Sequence, residues 1–226
     1  MDFKAGEIFA IDKPYRISSF GALAHVRYVL SRTLGYKVKI GHAGTLDPLA
    51  TGVLILCTGK ATKRIEEFQG QTKEYTATLQ LGATTASYDM EHEVNASFPT
   101  EHITRELIND TLPQFIGDIE QIPPTYSAVK VNGDRAYELR RAGEEVKLKP
   151  KHIHIDEIEV VDFDVEKKQL SLRVVCGKGT YIRALARDLG RALNSGAYLT
   201  ALRRTRVGDF TIDRCLDYEH IREWIE

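Results

Sequence analysis

The chain of 226 residues is long enough for one elaborated domain or two small ones, and its 42% hydrophobic and 28% charged residues are typical of a globular protein. No apolar run approaches the roughly 20 residues that span a bilayer, and the amino-terminal residues lack the apolar core of a secretory signal. The three cysteines are far apart and form no CxxC pair, which argues against a disulfide framework or a zinc site and favours a reducing, cytoplasmic setting.

The formal net charge of −1 conceals a segregated distribution of charge. Residues 27–64 contain seven basic residues and one acidic residue, and residues 173–206 contain eight basic residues and one acidic residue. An acidic stretch, 156–166, lies between them. If the two basic segments share a face, that face is a candidate for binding phosphate groups. The alternative is that the basic side chains only contact solvent.

Periodicity and capping predict the elements of the first half of the chain. A helix is expected over about 20–34, where Ser18 or Ser19 can cap its amino end, and 72–81 alternates like a half-buried strand. Residues 82–100 are turn-like. The other predicted elements are a strand at 7–12 ended by Lys13-Pro14, a buried strand at 53–57, a short helix at 60–68, and a helix from Thr100 or Thr104 to about Leu112.

The second half of the chain predicts a pair of strands followed by a helix. Residues 151–164 and 169–176 alternate well and indicate two antiparallel strands, and Lys178-Gly179 opens a helix that runs to about Leu193. The other predicted elements are a strand at 127–131, a turn at 132–133, a helix at 135–141, a strand at 198–210 with its arginines outward, and a final helix at 218–226. This irregular mixture indicates an α+β fold around a mostly antiparallel sheet.

Residues 41–52 read GHAGTLDPLATG and separate the first predicted helix from the buried strand. Turn-rich backbone held against a buried strand is a common way to keep a reactive side chain still. Asp47 is the only acidic residue in the basic span 27–64. By residue type alone it is either a reactive carboxylate or the cap of a turn that begins at Asp-Pro.

Six blocks together resemble the TruB family of tRNA pseudouridine synthases, and they extend over nearly the whole chain. They are DKP at 12–14 with Ser18-Ser19, GHAGTLDPLATG at 41–52, KEY at 73–75, PPTYSAVKVNGDRAYELRRAG at 123–143, CGKGTYIRALARDLG at 176–190 and GAYLTALRRTRVGDF at 196–210. The resemblance implies the pseudouridine synthase fold, in which helices flank a mixed, mostly antiparallel sheet with a central active-site cleft. It also implies a single catalytic domain over 1–226.

The resemblance implies an activity as well, the conversion of one uridine in the T-loop of tRNA, at position 55, to pseudouridine. The base is flipped out of the RNA, detached from its sugar, rotated and rejoined through carbon. Asp47 falls on the family's catalytic aspartate, which acts either on the ribose or on the uracil ring, and Arg183 on the arginine that pairs with it. Tyr75 matches the active-site tyrosine that stacks on the base and is a candidate for proton transfer at C5. The resemblance implies neither a metal nor a redox cofactor.

Other matched residues line the uridine site or contact RNA. His42 matches the residue that takes the space left by the base, and Tyr181 and Leu202 match residues that line the site; a place in a loop or in the core is the plainer alternative for all three. Lys13 and Pro14 match a block that supports the active-site loop. The region 123–151 matches the part that grips the T-arm. The predicted RNA contacts are Lys130, Arg135, Arg140, Arg141, Arg203 and Arg204.

The resemblance also sets expectations about size and partners. Many bacterial members of the family carry a small C-terminal RNA-binding domain of the PUA type, and a full domain of that kind is expected to be absent here. We expect a cytoplasmic monomer whose partner is tRNA, with no membrane and no obligatory protein partner. Two other interpretations are a chaperone that folds the T-arm without catalysis and a guide-RNA-dependent synthase. The presence of both Asp47 and Arg183 favours an enzyme over a chaperone alone.

Overall fold

The computed structural model describes residues 1–127, 129–131, 134–144, 146 and 148–225, and of residues 130, 131, 135, 140 and 141 it describes the backbone only. The chain divides into two compact units. Unit 1 comprises 1–76 together with 202–226, and unit 2 comprises 77–201.

The described residues form strands and helices in an irregular order. The strands are β1 (Ile8–Lys13), β2 (Ile40–Ala43), β3 (Ala50–Thr58), β4 (Lys73–Leu81), β5 (Ala83–Thr85), β6 (Val94–Ser97), β7 (Gly117–Gln121), β8 (Lys130–Val131), β9 (Asp134–Arg135), β10 (Lys151–Asp164), β11 (Gln169–Cys176), β12 (Ala197–Val207) and β13 (Phe210–Thr211). The α-helices are α1 (Ser19–Leu34), α2 (Ile65–Gly70), α3 (Arg105–Thr111), α4 (Ala136–Arg141), α5 (Ile182–Ala192) and α6 (Ile221–Ile225). Strands β4 and β12 each continue from one unit into the other.

Unit 1 is built around β3, whose apolar run is buried on both faces. Strand β1 pairs with it antiparallel from Ile8↔Cys57 to Lys13↔Gly52, and β2 pairs with it antiparallel from Ile40↔Thr58 to Ala43↔Ile55. On one face, Leu54 and Leu56 pack with the buried residues of α1; on the other, Val53, Ile55 and Cys57 pack with Phe68 and Val207. Because alternate residues of a strand point to opposite faces, only a strand covered on both sides is apolar throughout.

Unit 2 contains a second antiparallel arrangement. The long strand β10 pairs with β11 over most of its length and with β7 from Lys151↔Gln121 to Ile155↔Gly117. The short strands β5 and β6 form a separate hairpin. Helix α5 contributes a nearly continuous buried surface that includes Ile182, Leu185 and Leu189. The α+β class and the mostly antiparallel pairing predicted above are confirmed; the pairing of β12 with β3 is parallel.

Several predicted elements are confirmed and others are corrected. Ser18 caps α1 by accepting a hydrogen bond from the backbone N–H of Gly21, and Thr104 caps α3. The segment 82–100 is not merely turn-like, since it contains β5 and β6, and β7 was not predicted. Helix α5 begins at Ile182 rather than Lys178, and the final helix begins at Ile221 rather than Tyr218. The turn predicted at 132–133 lies outside the described residues. No described helix is long and apolar enough to cross a membrane.

Candidate active site

The loop 44–49 joins β2 to β3 and carries Asp47 at a partly exposed position. The backbone N–H of Ala50 donates to the carbonyl of Asp47 at 3.0 Å, so Asp47 begins a tight turn into β3. The buried hydroxyl of Ser19 donates to the carbonyl of Leu46 at 2.9 Å and accepts from its N–H at 2.8 Å. These two hydrogen bonds from the first turn of α1 hold the backbone beside Asp47, and the buried Leu46 side chain anchors it in the core.

Lys13 lies fully buried at the end of β1 and supports the same loop. Its ammonium donates to the carbonyls of Pro14 at 2.8 Å, Ile17 at 2.6 Å and Pro48 at 3.4 Å. Burial lowers the pKa of Lys13 to about 8, and the charge of Asp47 opposes that shift. The supporting role expected for the Lys13-Pro14 block therefore agrees with these contacts.

Arg204 differs from its prediction as an outward-facing RNA contact. It is 1% exposed, and its guanidinium donates from Nε to the carbonyl of Val53 at 2.8 Å and from Nη2 to the carbonyl of Gly44 at 3.1 Å. A side chain with these contacts is closed to a phosphate group on the surface. Arg204 instead fixes the first residue of the loop that carries Asp47, and the prediction of outward arginines on β12 is wrong at this position.

The backbones of β3 and β12 approach closely at Arg204, and this contact fixes the position of that residue. In the parallel register of β12 and β3, Arg204 lies opposite Gly52, whose φ is 107°. A Cβ atom at Gly52 would lie 2.1 Å from the carbonyl oxygen of Arg204. Only glycine fits both the left-handed backbone and this separation, so the last glycine of the loop motif has a packing role.

Three further predicted site residues lie in unit 1. Leu202 of β12 is the register partner of Ala50, the residue that closes the Asp47 turn. His42 lies on β2, where burial and then the positive charge of Arg204 lower its pKa, and its buried Nδ1 has no hydrogen-bond partner among the described residues. Tyr75 is 8% exposed on β4 and belongs to the buried face predicted from the alternation of that strand.

Unit 2 holds Arg183 in the first turn of α5. The side chain is 5% exposed, donates from Nη1 to the carbonyl of Ser87 at 3.1 Å and from Nη2 to the carbonyl of Tyr126 at 2.8 Å, and lies with Nε 3.7 Å from Asp89. Ser87 in turn donates to Asp89 and contacts Nδ1 of His92 at 3.0 Å. The segment 84–95 therefore contributes a polar network around Arg183.

Tyr181 is the N-cap residue of α5, and its own side chain makes no cap bond. The amide of Gln121 serves the backbone there, accepting from the Tyr181 N–H at 2.9 Å and donating to the Tyr181 carbonyl at 3.2 Å. One turn beyond Arg183, the buried Arg187 donates to the carbonyl of Ile122 at 2.8 Å and pairs with Asp188. Gln121 and Arg187 were missed, because a polar residue on a weak strand and an arginine on a helix carry no signal of burial.

The predicted site residues thus fall into two groups. Asp47, His42, Tyr75 and Leu202 lie in unit 1, whereas Tyr181 and Arg183 lie in unit 2, and the pairing of Asp47 with Arg183 stays a prediction. Arg203 is accessible, with a side chain 42% exposed and 2.6 Å from Asp12. Of the eight basic residues in 173–206, three are buried, which weakens the prediction of a phosphate-binding surface there. The side chains of four predicted RNA contacts lie outside the described residues: Lys130, Arg135, Arg140 and Arg141.

Comparison with known proteins identifies the class and then the family. A chain in the crystal structure of a Cbf5–Nop10–Gar1 complex matches this fold with a TM-score of 0.72 and 28% sequence identity, over 99% of this chain and 56% of that one. This chain therefore spans about half the length of that solved relative. The fold is that of the pseudouridylate synthases, as predicted, because the model of that family matches most of the chain.

Sequence relatives define the family. The family model described as TruB family pseudouridylate synthase (N terminal domain) matches residues 31–182, and the one described as tRNA pseudouridylate synthase B C-terminal domain matches residues 183–226. The tRNA pseudouridine synthase B of Bacteroides thetaiotaomicron is 62% identical and covers 100% of this chain and 95% of its own length. The protein of the same name from Phocaeicola vulgatus is 61% identical, over 100% and 96%. The chain belongs to the TruB family of pseudouridylate synthases, which are isomerases.

Proposed function

We propose that this protein isomerises the T-loop uridine at position 55 of tRNA to pseudouridine, with Asp47 as its catalytic carboxylate. The observation that carries the proposal is the way the Asp47 loop is held. Three buried side chains, Ser19, Lys13 and Arg204, donate to carbonyls on either side of Asp47. A catalytic group needs this kind of preorganised support, whereas an ordinary turn cap does not.

The chemistry asked of Asp47 is that of a positioned nucleophile or base. The glycosidic bond breaks, the uracil turns, and a C5–C1′ bond forms while the C5 proton leaves for solvent and N1 gains a proton, so the reaction has no net redox change. A carboxylate is suited to covalent catalysis when it is ionised and held in place. The family resemblance assigns Arg183 as its charge partner, and a planar guanidinium is the best partner for fixing a carboxylate.

The remaining predicted residues would receive the flipped base. A base taken out of a folded loop loses stacking and pairing worth roughly a few kcal/mol, and aromatic and apolar side chains recover part of it. We assign this role to Tyr75, Tyr181 and Leu202, and we propose that Tyr75 also moves the C5 proton. His42, whose pKa is lowered first by burial and then by the charge of Arg204, is proposed to take the space where the base has left.

Recognition of the rest of the T-arm is proposed to use shape and backbone rather than sequence. The region 123–151 and Arg203 are the proposed contacts, and the protein is proposed to act in the cytoplasm as a monomer without an obligatory protein partner. Relatives named tRNA pseudouridine synthase B support tRNA as the substrate.

The experiment uses unmodified T-arm RNA that carries tritium at C5 of the target uridine. We expect tritium release by the wild type and by the control variant Asp110→Asn, an exposed carboxylate of α3. We expect no release by Asp47→Asn, with its affinity for the RNA retained. Release by Asp47→Asn at the wild-type rate would remove Asp47 from the chemistry. If the wild type binds the RNA and releases no tritium, the T-arm chaperone is the better interpretation.

A further inference from the structure

A basic pocket lies in unit 1 away from the Asp47 loop. Its volume is about 320 Å³, its apolar lining comes from Phe3, Tyr36 and Val38, and Gly59 forms part of its wall. Five lysines surround it, and they come from separate stretches of the chain: Lys4, Lys37, Lys39, Lys60 and Lys63. No acidic residue from the described part of the chain belongs to the lining.

The five lysines of this pocket lack direct carboxylate partners among the described residues. Within the described ranges of the chain, none of the five lysines forms an ion pair with a carboxylate, and the nearby Glu67 is occupied by Arg64 at 2.8 Å. The pKa of Asp2 is lowered mainly by hydrogen bonds from the backbone N–H groups of Ala5 and Lys4, and only slightly by the charge of the Lys4 side chain. Like charges gathered around one concavity raise the local potential, and this arrangement is typical of a site whose counter-charge is a ligand.

The five lysines of the pocket are exposed, but buried neighbours hold the backbone that carries three of them. Phe3 and Val38 are 2% and 1% exposed, so the backbones of Lys4, Lys37 and Lys39 are anchored next to core residues. The ammonium of Lys4 lies 4.2 Å from the centre of the Tyr36 ring.

Gly59 forms part of the wall of the pocket at a position where only glycine fits. Its N–H donates to the carbonyl of Lys39 at 2.9 Å, and its φ is 49°. A Cβ atom at Gly59 would lie 2.3 Å from the carbonyl oxygen of Lys4 and 2.6 Å from that of Phe3. The amino-terminal segment therefore packs directly against the end of β3, which brings Lys4 beside Lys39 and Lys60.

The pocket lies at the opposite end of β3 from the Asp47 turn. Strand β3 begins at Ala50, next to Asp47, and ends at Thr58, next to Gly59. Eight residue steps at the usual rise of a strand separate the two ends by about 26 Å. One ligand that reaches both places must therefore be a long polyanion, and the lysine ammonium groups, as point charges, suit backbone phosphates more than base edges.

We propose that this five-lysine pocket binds backbone phosphates of the substrate tRNA outside the T-arm. The identity of the RNA rests on the proposed function, whereas the phosphate-binding pocket itself does not. The pocket adds affinity for the body of the tRNA and takes no part in the chemistry at the target uridine. It also gives the basic span 27–64 a binding role that the charge pattern alone left open.

The test compares the double variant Lys60→Gln/Lys63→Gln with a control that loses the same charge elsewhere, Arg105→Gln/Lys167→Gln, whose residues are exposed in unit 2. Filter binding measures Kd for full-length unmodified tRNA and for the isolated T-arm at several salt concentrations. We expect the pocket variant to bind full-length tRNA about tenfold more weakly, with a salt slope reduced by about one to two. Its Kd for the T-arm should change less than about twofold, and its tritium release from saturating T-arm should equal that of the wild type.

Three results would overturn the proposal. The first is an unchanged Kd for full-length tRNA; the second is an equal loss in the control variant, which would reflect net charge alone. The third is a loss of binding to inorganic tripolyphosphate with tRNA binding intact, which would assign the pocket to a free polyphosphate. If the wild type releases no tritium, the proposed function fails, and the tRNA-binding comparison still decides the fate of the pocket.

Discussion

The two units both hold backbone in place with buried cations that donate to carbonyl oxygens, yet they balance the charge differently. In the described part of unit 1, Lys13 and Arg204 make their hydrogen bonds to carbonyls alone. In unit 2, Arg183 and Arg187 also donate to carbonyls, but each lies beside a carboxylate as well. Among the described residues, Lys13 and Arg204 therefore hold their carbonyls without a hydrogen-bonded carboxylate, whereas Arg183 and Arg187 each lie beside one.

The buried cations of the two units therefore have different roles. The positive charge of Lys13 acts on Asp47, because their attraction opposes the effect of burial on the pKa of Lys13. A loop supported in this way is rigid and also electrically suited to a carboxylate that must stay ionised. Arg183 and Arg187 instead hold the carbonyls of Tyr126 and Ile122, which lead into the region predicted to grip RNA.

The largest effect is expected at the crossing of β3 and β12. Gly52→Ala would place Cβ 2.1 Å from the backbone of Arg204, and neither strand can move without breaking the sheet, so we expect a loss of more than about 4 kcal/mol in the free energy of unfolding. Gly196→Ala in unit 2 meets mainly the ring of Phe98, which is 39% exposed and has room to turn, so about 1 kcal/mol is expected. Urea unfolding measures both variants. Equal losses would show that β3 does not constrain the loop as described.

The next effect distinguishes the two kinds of buried arginine. Arg204→Met leaves the carbonyls of Val53 and Gly44 without donors, so we expect a loss of about 3 kcal/mol in stability and a fall of about 100-fold in kcat through displacement of the Asp47 loop. Arg187→Met should cost about 2 kcal/mol and raise KM for the T-arm with kcat within about threefold of the wild type. Steady-state tritium release gives both constants. A fall in kcat shared by both variants would contradict the difference between the two roles.

The smallest effect is a pH dependence that belongs to Lys13. Its pKa is about 8 in the folded protein and 10.5 ordinarily, so between these values the unfolded chain binds more protons and stability rises with pH. We expect the free energy of unfolding of the wild type, relative to Lys13→Met, to increase by about 2 kcal/mol from about pH 7 to about pH 9.5. Urea unfolding of both proteins at the two pH values measures the difference. A difference that stays constant would show that Lys13 is not desolvated.

Local pattern was sufficient where a single element carried its own signal. The apolar run of β3 predicted a buried strand, and the pair Ser18-Ser19 predicted the start of α1, where Ser18 proved to be the cap. Burial on both faces and a side-chain cap both depend on residues that are neighbours in the sequence. Strand β7 has a single apolar side chain, Ile119, between polar neighbours, and it is a strand because β10 offers it a register. Such a strand depends on a partner distant in sequence and leaves no local trace.

The sequence by itself determined the family and the candidate carboxylate, since the block 41–52 and its companions are specific and Asp47 is the only acid in a basic span. Only the tertiary structure decided which bases face inward. The sequence does not distinguish Arg203 from Arg204, because both are arginines in the same strand. The register of β12 turns Arg203 toward Asp12 and Arg204 toward the carbonyls of Val53 and Gly44. Neighbouring residues of a strand point to opposite faces, and the oxygen atoms that make burial of a guanidinium tolerable come from residues more than a hundred positions away.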